Sequence, residues 1–239
     1  MIATALSALL LAGRSEAQEK KPDNEVSFNA AVTTDYRYRG LSQTRLKPAL
    51  QGGADFVNNP SGFYAGVWGS TIKWIKDAGG DADVEIDLYA GKRGSLGEAS
   101  YDVGVLRYEY PSNKLNPSAS TTEVYAQVGL GPAYIKYSHA VTNLFGFADS
   151  KGSGYLDLGA NLEAPGGYVF NLHVGRQKVD GNGAASYTDY KVGVTKDFGV
   201  VTGALAVIGT NAKESSYSSP VNGKFLGDTG VVLTISKTF

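Results

Sequence analysis

The sequence predicts an all-β fold, an antiparallel up-and-down transmembrane β-barrel of about 12 strands. Three observations carry that prediction. Apolar and polar residues alternate through segments of roughly 10 to 13 residues, the length a tilted strand needs to cross an outer membrane. The connections between segments are long and short in turn, and the last segment runs to a C-terminal phenylalanine. Composition points the same way: the 239 residues include 31 Gly and 15 Tyr but one Met and two Trp, with no helix-forming run after the first twenty.

Residues 1–17 read as a secretory signal ahead of a barrel domain at 18–239. The apolar run from Ile2 to Gly13 is too short to span a bilayer as a helix, and small residues follow at Ser15 and Ala17. Its one departure from the usual pattern is that Arg14 follows the apolar run and no basic residue precedes it.

The first strand sets Val26, Phe28, Ala30 and Val32 against Ser27, Asn29, Thr33 and Asp35. In the second, Leu50, Ala54 and Phe56 oppose Gln51, Gly53 and Asp55. The third, Gly62 to Ile72, carries aromatics on both faces and leaves its orientation open. The fourth alternates most cleanly, with Val84, Ile86, Leu88 and Ala90 against Asp83, Glu85, Asp87 and Tyr89. The fifth, Tyr101 to Tyr110, is ambiguous because Asp102 and Arg107 fall on opposite faces. The sixth opposes Val124, Ala126, Val128 and Leu130 to Glu123, Tyr125 and Gln127, and the seventh opposes Ile135, Tyr137 and Val141 to Lys136 and Ser138. Leu156, Leu158, Ala160 and Leu162 face away from Asp157 in the eighth. In the ninth, Tyr168, Phe170, Leu172 and Val174 face away from Asn171 and His173. The tenth sets Tyr190, Val192 and Val194 against Asp189, Lys191 and Thr195, and the eleventh, Val201 to Ile208, is apolar and small on both sides. The twelfth puts Val231, Leu233, Ile235 and Phe239 on one face.

Short connections are Asn58 to Ser61, Arg93 to Gly97, Gly131-Pro132, Pro165 to Gly167 and Asp197 to Gly199. Long ones are Arg37 to Lys47, Lys73 to Asp81, Pro111 to Ser120, Thr142 to Gly152, Val179 to Ala185 and Asn211 to Gly227. Outer-membrane barrels keep that rhythm, with short periplasmic turns and longer external loops. A soluble sandwich has no reason to.

Several chemistries are excluded or disfavoured. A net charge of -1 without a Lys/Arg cluster argues against nucleic acid, and the absence of Cys removes disulfides and thiolate sites. No cofactor is expected. The acidic stretch Asp77, Asp81 and Asp83 does not match a calcium-loop spacing. An enzyme is not expected either, because His173 shares the polar stripe while His139 lies on the apolar one with Ser138 pointing away.

The polar stripes, taken as a lumen wall, supply the expected lining residues Asp35, Asp55, Glu85, Asp87, Glu123, Lys136, Asp157, His173, Asp189 and Lys191. Acidic side chains predominate among them, so weak cation preference is expected. Arg37, Arg39 and Arg45 in the first long loop are candidates for the mouth, with lipopolysaccharide phosphates or solvent as the competing destination of their charges. If the strand continues, Arg37 and Arg39 share a face. Tyr36, Tyr110, Tyr168 and Tyr190 at strand ends read as interface anchors.

The run Asp35-Tyr36-Arg37-Tyr38-Arg39-Gly40-Leu41-Ser42-Gln43-Thr44 and the following Pro48-Ala49-Leu50-Gln51-Gly52-Gly53 resemble the TorF family of proteobacterial porin-like proteins. Glu85-Ile86-Asp87-Leu88-Tyr89-Ala90-Gly91, Gly154-Tyr155-Leu156-Asp157-Leu158-Gly159 and Tyr187-Thr188-Asp189-Tyr190-Lys191-Val192-Gly193 extend the resemblance over nearly the whole mature chain. It implies a porin-like barrel in the bacterial outer membrane and brings no substrate or catalytic residue. The expected function is therefore a narrow passive channel for small hydrophilic solutes. A non-conducting barrel acting through its external loops is the alternative, and a lipid hydrolase a remote one. Expected partners are outer-membrane lipids, lipopolysaccharide and the barrel-assembly machinery, which would engage the strand ending in Phe239.

Overall fold

A computed structural model describes residues 22–239; the signal segment expected at 1–17 lies outside the described residues. The chain forms β1 (Asn24–Thr33), β2 (Arg37–Tyr38), β3 (Leu41–Ser42), β4 (Ala49–Asn58), β5 (Phe63–Thr71), a helical turn α1 (Trp74–Asp77) and β6 (Val84–Leu96). It continues through β7 (Ala99–Glu109), β8 (Thr121–Leu130), β9 (Ala133–Ala140), β10 (Gly154–Ala164) and β11 (Tyr168–Lys178). After a 3₁₀ turn at Gly183–Ala185 come β12 (Tyr187–Asp197), β13 (Thr202–Thr210), a second helical turn α2 (Glu214–Tyr217) and β14 (Gly230–Thr238).

Twelve of these strands form a closed antiparallel barrel in which each pairs with its chain neighbour, and β14 closes on β1. β2 and β3 stand apart as a miniature hairpin within the first long connection. The seam pairs Asn29 with Thr238 through Thr33 with Thr234. Two further backbone bonds extend it to the last residue, as Phe28 and Phe239 exchange N–H···O=C contacts of 3.1 and 2.8 Å. Closure leaves no row of unpaired edge groups, which is the condition for strands to cross a bilayer.

Alternation along each strand sorts side chains to the two faces of the wall. The outer face is an apolar belt that includes Val26, Leu50, Leu88, Val128, Leu158, Val192 and Leu233, all largely exposed. Aromatics mark its short-turn margin at Phe56, Phe63, Tyr168, Phe198 and Phe239, and Tyr137 and Tyr190 stand nearer the long loops. An exposed apolar band of this extent has no place on a water-soluble monomer.

The third strand's open orientation is resolved: Tyr64 is buried inward and Phe63 and Val67 face out. Asp102 turns inward and Arg107 outward, where Arg107 pairs with Glu109 at 2.7 Å. Three expectations are corrected. β6 runs on to Leu96, so Arg93 belongs to a strand, not a turn. β1 ends at Thr33, which moves Asp35 from the wall into the first loop. Tyr36 and Tyr110 are not interface anchors but lie inside, each 2% exposed, because the loops fold over them; Tyr168 and Tyr190 do face outward.

Candidate functional site

The long loops do not stand open above the barrel. Tyr36, Ile72, Ile75, Tyr110 and Ala119 form one buried cluster at that end, Ala140, Leu144, Val179 and Ala185 a second, and Leu41, Tyr187 and Ala212 a third. Burying these side chains between loops supplies the stabilisation that a solvated loop lacks.

The first long connection goes deepest. Tyr38-Arg39-Gly40-Leu41 forms the tip of the small hairpin, with φ of 45° at Arg39 and 81° at Gly40, as a two-residue turn with two left-handed positions requires. Gly40 is needed for space as well as conformation, since a Cβ there would sit 2.7 Å from Cβ of Asp189 on the wall. The tip carries Arg39 across the lumen. Its guanidinium donates to Glu123 Oε1 at 3.0 Å, Glu123 Oε2 at 2.6 Å and Gln177 Oε1 at 2.6 Å, and stacks over the Tyr155 ring at 4.2 Å. A two-pronged ion pair of this kind is the strong form of the Arg–carboxylate contact.

Because the chain turns at Arg39, Arg37 and Arg39 do not share a face, contrary to the extended-strand reading. Arg37 is held on the opposite side of the hairpin by Asp35 at 2.7 Å and by the carbonyls of Ile208 and Asp228. Asp35 also accepts from the hydroxyls of Ser42 at 2.5 Å and Thr44 at 3.2 Å, so it braces the loop rather than lining a wall. Arg37 and Arg39 are buried, which removes them from solvent and from lipopolysaccharide phosphates. Arg45 remains at the loop surface, paired with Asp77.

Beneath the hairpin lies a cavity of about 450 Å³ that reaches the short-turn rim at Glu25, Asn59, Ser95, Ser100 and Thr238. Of the residues expected to line a lumen, Asp55, Lys136, Asp157, His173, Asp189 and Lys191 do line it. Glu85, Asp87 and Glu123 also face inward but are sealed at the level of the loop. His173 is clamped by Asp157 at 2.7 Å on Nδ1 and Asp189 at 2.6 Å on Nε2, and Asp189 takes a further bond from the Tyr155 hydroxyl at 2.9 Å. Residues not among those expected to line the lumen complete the wall: Arg93, Asp102 and a set of tyrosines. The Tyr64 hydroxyl meets Asp102 at 2.5 Å and also the Tyr125 hydroxyl, while Tyr89 reaches Asp55 at 2.5 Å. The Lys136 ammonium lies 4.0 Å from the centre of the Tyr125 ring. Tyrosines on an otherwise polar stripe are the sequence signal for this wall, since a polar tip on a flat ring suits a narrow bore.

In the loops outside the wall, Asp81 and Asp83 are paired with lysines. Asp81 accepts from Lys114 at 2.8 Å and Asp83 from Lys76 at 3.0 Å, and these bonds hold both carboxyls below the ordinary aspartate range.

Among solved structures, one from work on in-meso crystallization of membrane proteins matches with a TM-score of 0.52 and 10% identity, over 89% of this chain and 83% of that one. A mutant porin of Rh. blastica aligns with a TM-score of 0.40 and 13% identity, over 79% of this chain, which spans 55% of the porin's length. LpxR from Salmonella typhimurium aligns with a TM-score of 0.39 and 13% identity, over 89% and 99% of the two chains. The first of these likenesses supports the membrane-barrel fold. Among curated proteins, none matches this chain in sequence. A family model covers residues 17–239, the whole of the barrel just described, and the chain thus belongs to Gcw_chp, a family of bacterial proteins of unknown function.

Proposed function

We propose that this protein is an outer-membrane porin-like barrel, a narrow passive channel for small hydrophilic solutes whose constriction is the inward hairpin at Arg37–Ser42. The observation that carries this reading is Arg39, held across the lumen between β8 and β11 above a polar cavity that reaches the opposite rim. A charged, fixed constriction inside a polar bore screens solutes by size and charge, whereas a purely structural barrel has no need of one. The resemblance to the TorF family supports the same reading.

The channel is weakly cation-selective. Support comes from the cavity wall, where Glu25, Asp55, Asp102, Asp157 and Asp189 outnumber Arg93, Lys136 and Lys191, and the hairpin returns little positive charge because Asp35 offsets Arg37 and Glu123 offsets Arg39. No catalysis is assigned. Both ring nitrogens of His173 are engaged by carboxylates, which leaves none to take a proton from a nucleophile. Outer-membrane lipid and lipopolysaccharide surround the apolar belt, and the barrel-assembly machinery reads the strand ending in Phe239.

A second reading, a barrel that does not conduct and acts through its loops, draws on the three apolar clusters that fill the long-loop end. Planar-bilayer recording in a salt gradient separates the two. The wild-type chain is expected to give small, brief steps with a cation-biased reversal potential, and Arg39→Ala, or replacement of residues 36–46 by a short Gly/Ser linker, larger and longer ones. Folded barrels that stay silent in all three forms would move the function to the loops.

A further inference from the structure

Two buried carboxylates take no part in the constriction. Glu85 and Asp87 project inward from β6, two residues apart and therefore on one face about 7 Å apart along the strand. They are 1% and 0% exposed. The Tyr36 hydroxyl of the inserted loop donates to Glu85 Oε1 at 2.7 Å. Asp87 is different: both its oxygens are buried and neither has a hydrogen-bond partner among the described residues. Its cross-strand neighbours are Trp68 on β5 and Tyr108 on β7, and the Tyr108 hydroxyl is already committed to Tyr38 at 2.6 Å and Glu123 at 3.2 Å. Among the described residues neither Glu85 nor Asp87 has an ion pair, and Arg37, Arg39 and Arg45 of the first long loop are bound to Asp35, Glu123 and Asp77.

An unsatisfied buried carboxylate costs several kcal/mol unless it takes up a positive charge or a proton. Asp87 is such a group, and Glu85 beside it has a tyrosine donor but no cation, so the two carboxylates together carry more charge than one proton cancels. We propose that Glu85 and Asp87 form a binding site for a divalent metal cation with oxygen preference, of the Ca²⁺ class, beneath the loop that carries Tyr36. Carboxylate oxygens are the donors hard cations favour. The pair neutralises a 2+ charge, and Tyr36, bonded to Glu85, ties the filled site to the loop. The loop acids Asp77, Asp81 and Asp83 are not part of it, since Arg45, Lys114 and Lys76 occupy them. The site holds whether or not the barrel conducts.

Calorimetric titration of CaCl₂ into the metal-stripped, lipopolysaccharide-free protein in detergent micelles tests this, with melting followed in parallel. One ion per chain is expected, with a rise in melting temperature. Asp87→Asn and Glu85→Gln should each weaken binding at least tenfold and abolish the rise, while the double variant Asp81→Asn/Asp83→Asn should bind as the wild type does. If Asp87→Asn fails to fold, Glu85→Gln decides alone. The site is refuted by a wild-type protein indifferent to calcium, as a protonated Asp87 would make it. It is equally refuted by undiminished binding in the β6 variants, or by binding that disappears with the loop pair.

Discussion

At the residue scale, Gly40 and Arg39 act as one device. Gly40 supplies a left-handed backbone against the wall at Asp189 and Thr210, and so lets Arg39 reach Glu123 without lifting the hairpin. Gly40→Ala should cost about 1–2 kcal/mol for the backbone conformation, with a further loss from the contact at Asp189. Urea unfolding in lipid vesicles measures it; an unchanged midpoint would mean the hairpin is not docked. The arginines also show where reading residues in order reaches its limit. Their place in the first long loop was legible as a candidate mouth, but the assumption of a continuing strand put Arg37 and Arg39 together. Two positive φ angles at the turn separate them to opposite sides of the hairpin.

At the scale of elements, the loops between strands are held by polar pairs at their surface and apolar clusters beneath. The Asp81–Lys114 pair links the connection after β5 to the one after β7. Because that bond lowers the Asp81 carboxyl's affinity for protons, its contribution is present above the ordinary aspartate value of about 3.9 and is lost as pH falls through the lowered value. Carboxyl ¹³C NMR should therefore show Asp81 titrating below about 3.9 and returning to the ordinary value in Lys114→Ala. A normal midpoint in the wild type would remove the pair. Strands were the most legible elements, since period-two alternation marks both their existence and their faces. The exceptions are instructive: the aromatics of β5 were undecidable because Tyr64 lies inside and Phe63 outside, and only the tyrosine hydroxyl, committed to Asp102, distinguishes them.

At the scale of the whole molecule, the outer belt determines where the chain is stable and the filled long-loop end how open its lumen is. A charge on the lipid face near mid-strand should cost about 2–4 kcal/mol, so Val192→Arg should lower unfolding free energy in vesicles by that amount. Thr195→Arg, on the inner face of the same strand, should cost far less. Equal losses would show that the belt does not meet lipid. The proposed conductance belongs to this scale as well, because it would depend on the hairpin, the cavity and the packing of the loops together.

The sequence by itself determined the barrel: strand number, direction, the faces of most strands and the two unequal ends follow from alternation and connection length, which are local properties of a wall one residue thick. It also identified most charges that face inward. Only the tertiary structure decided what those charges do. Whether Asp35 lines or braces, whether Tyr36 anchors in lipid or caps Glu85, and whether Asp87 finds a partner depend on one loop folding into the lumen. That choice is made by contacts across the barrel, between residues such as Arg39 and Gln177 that lie 138 positions apart, and no local pattern records it.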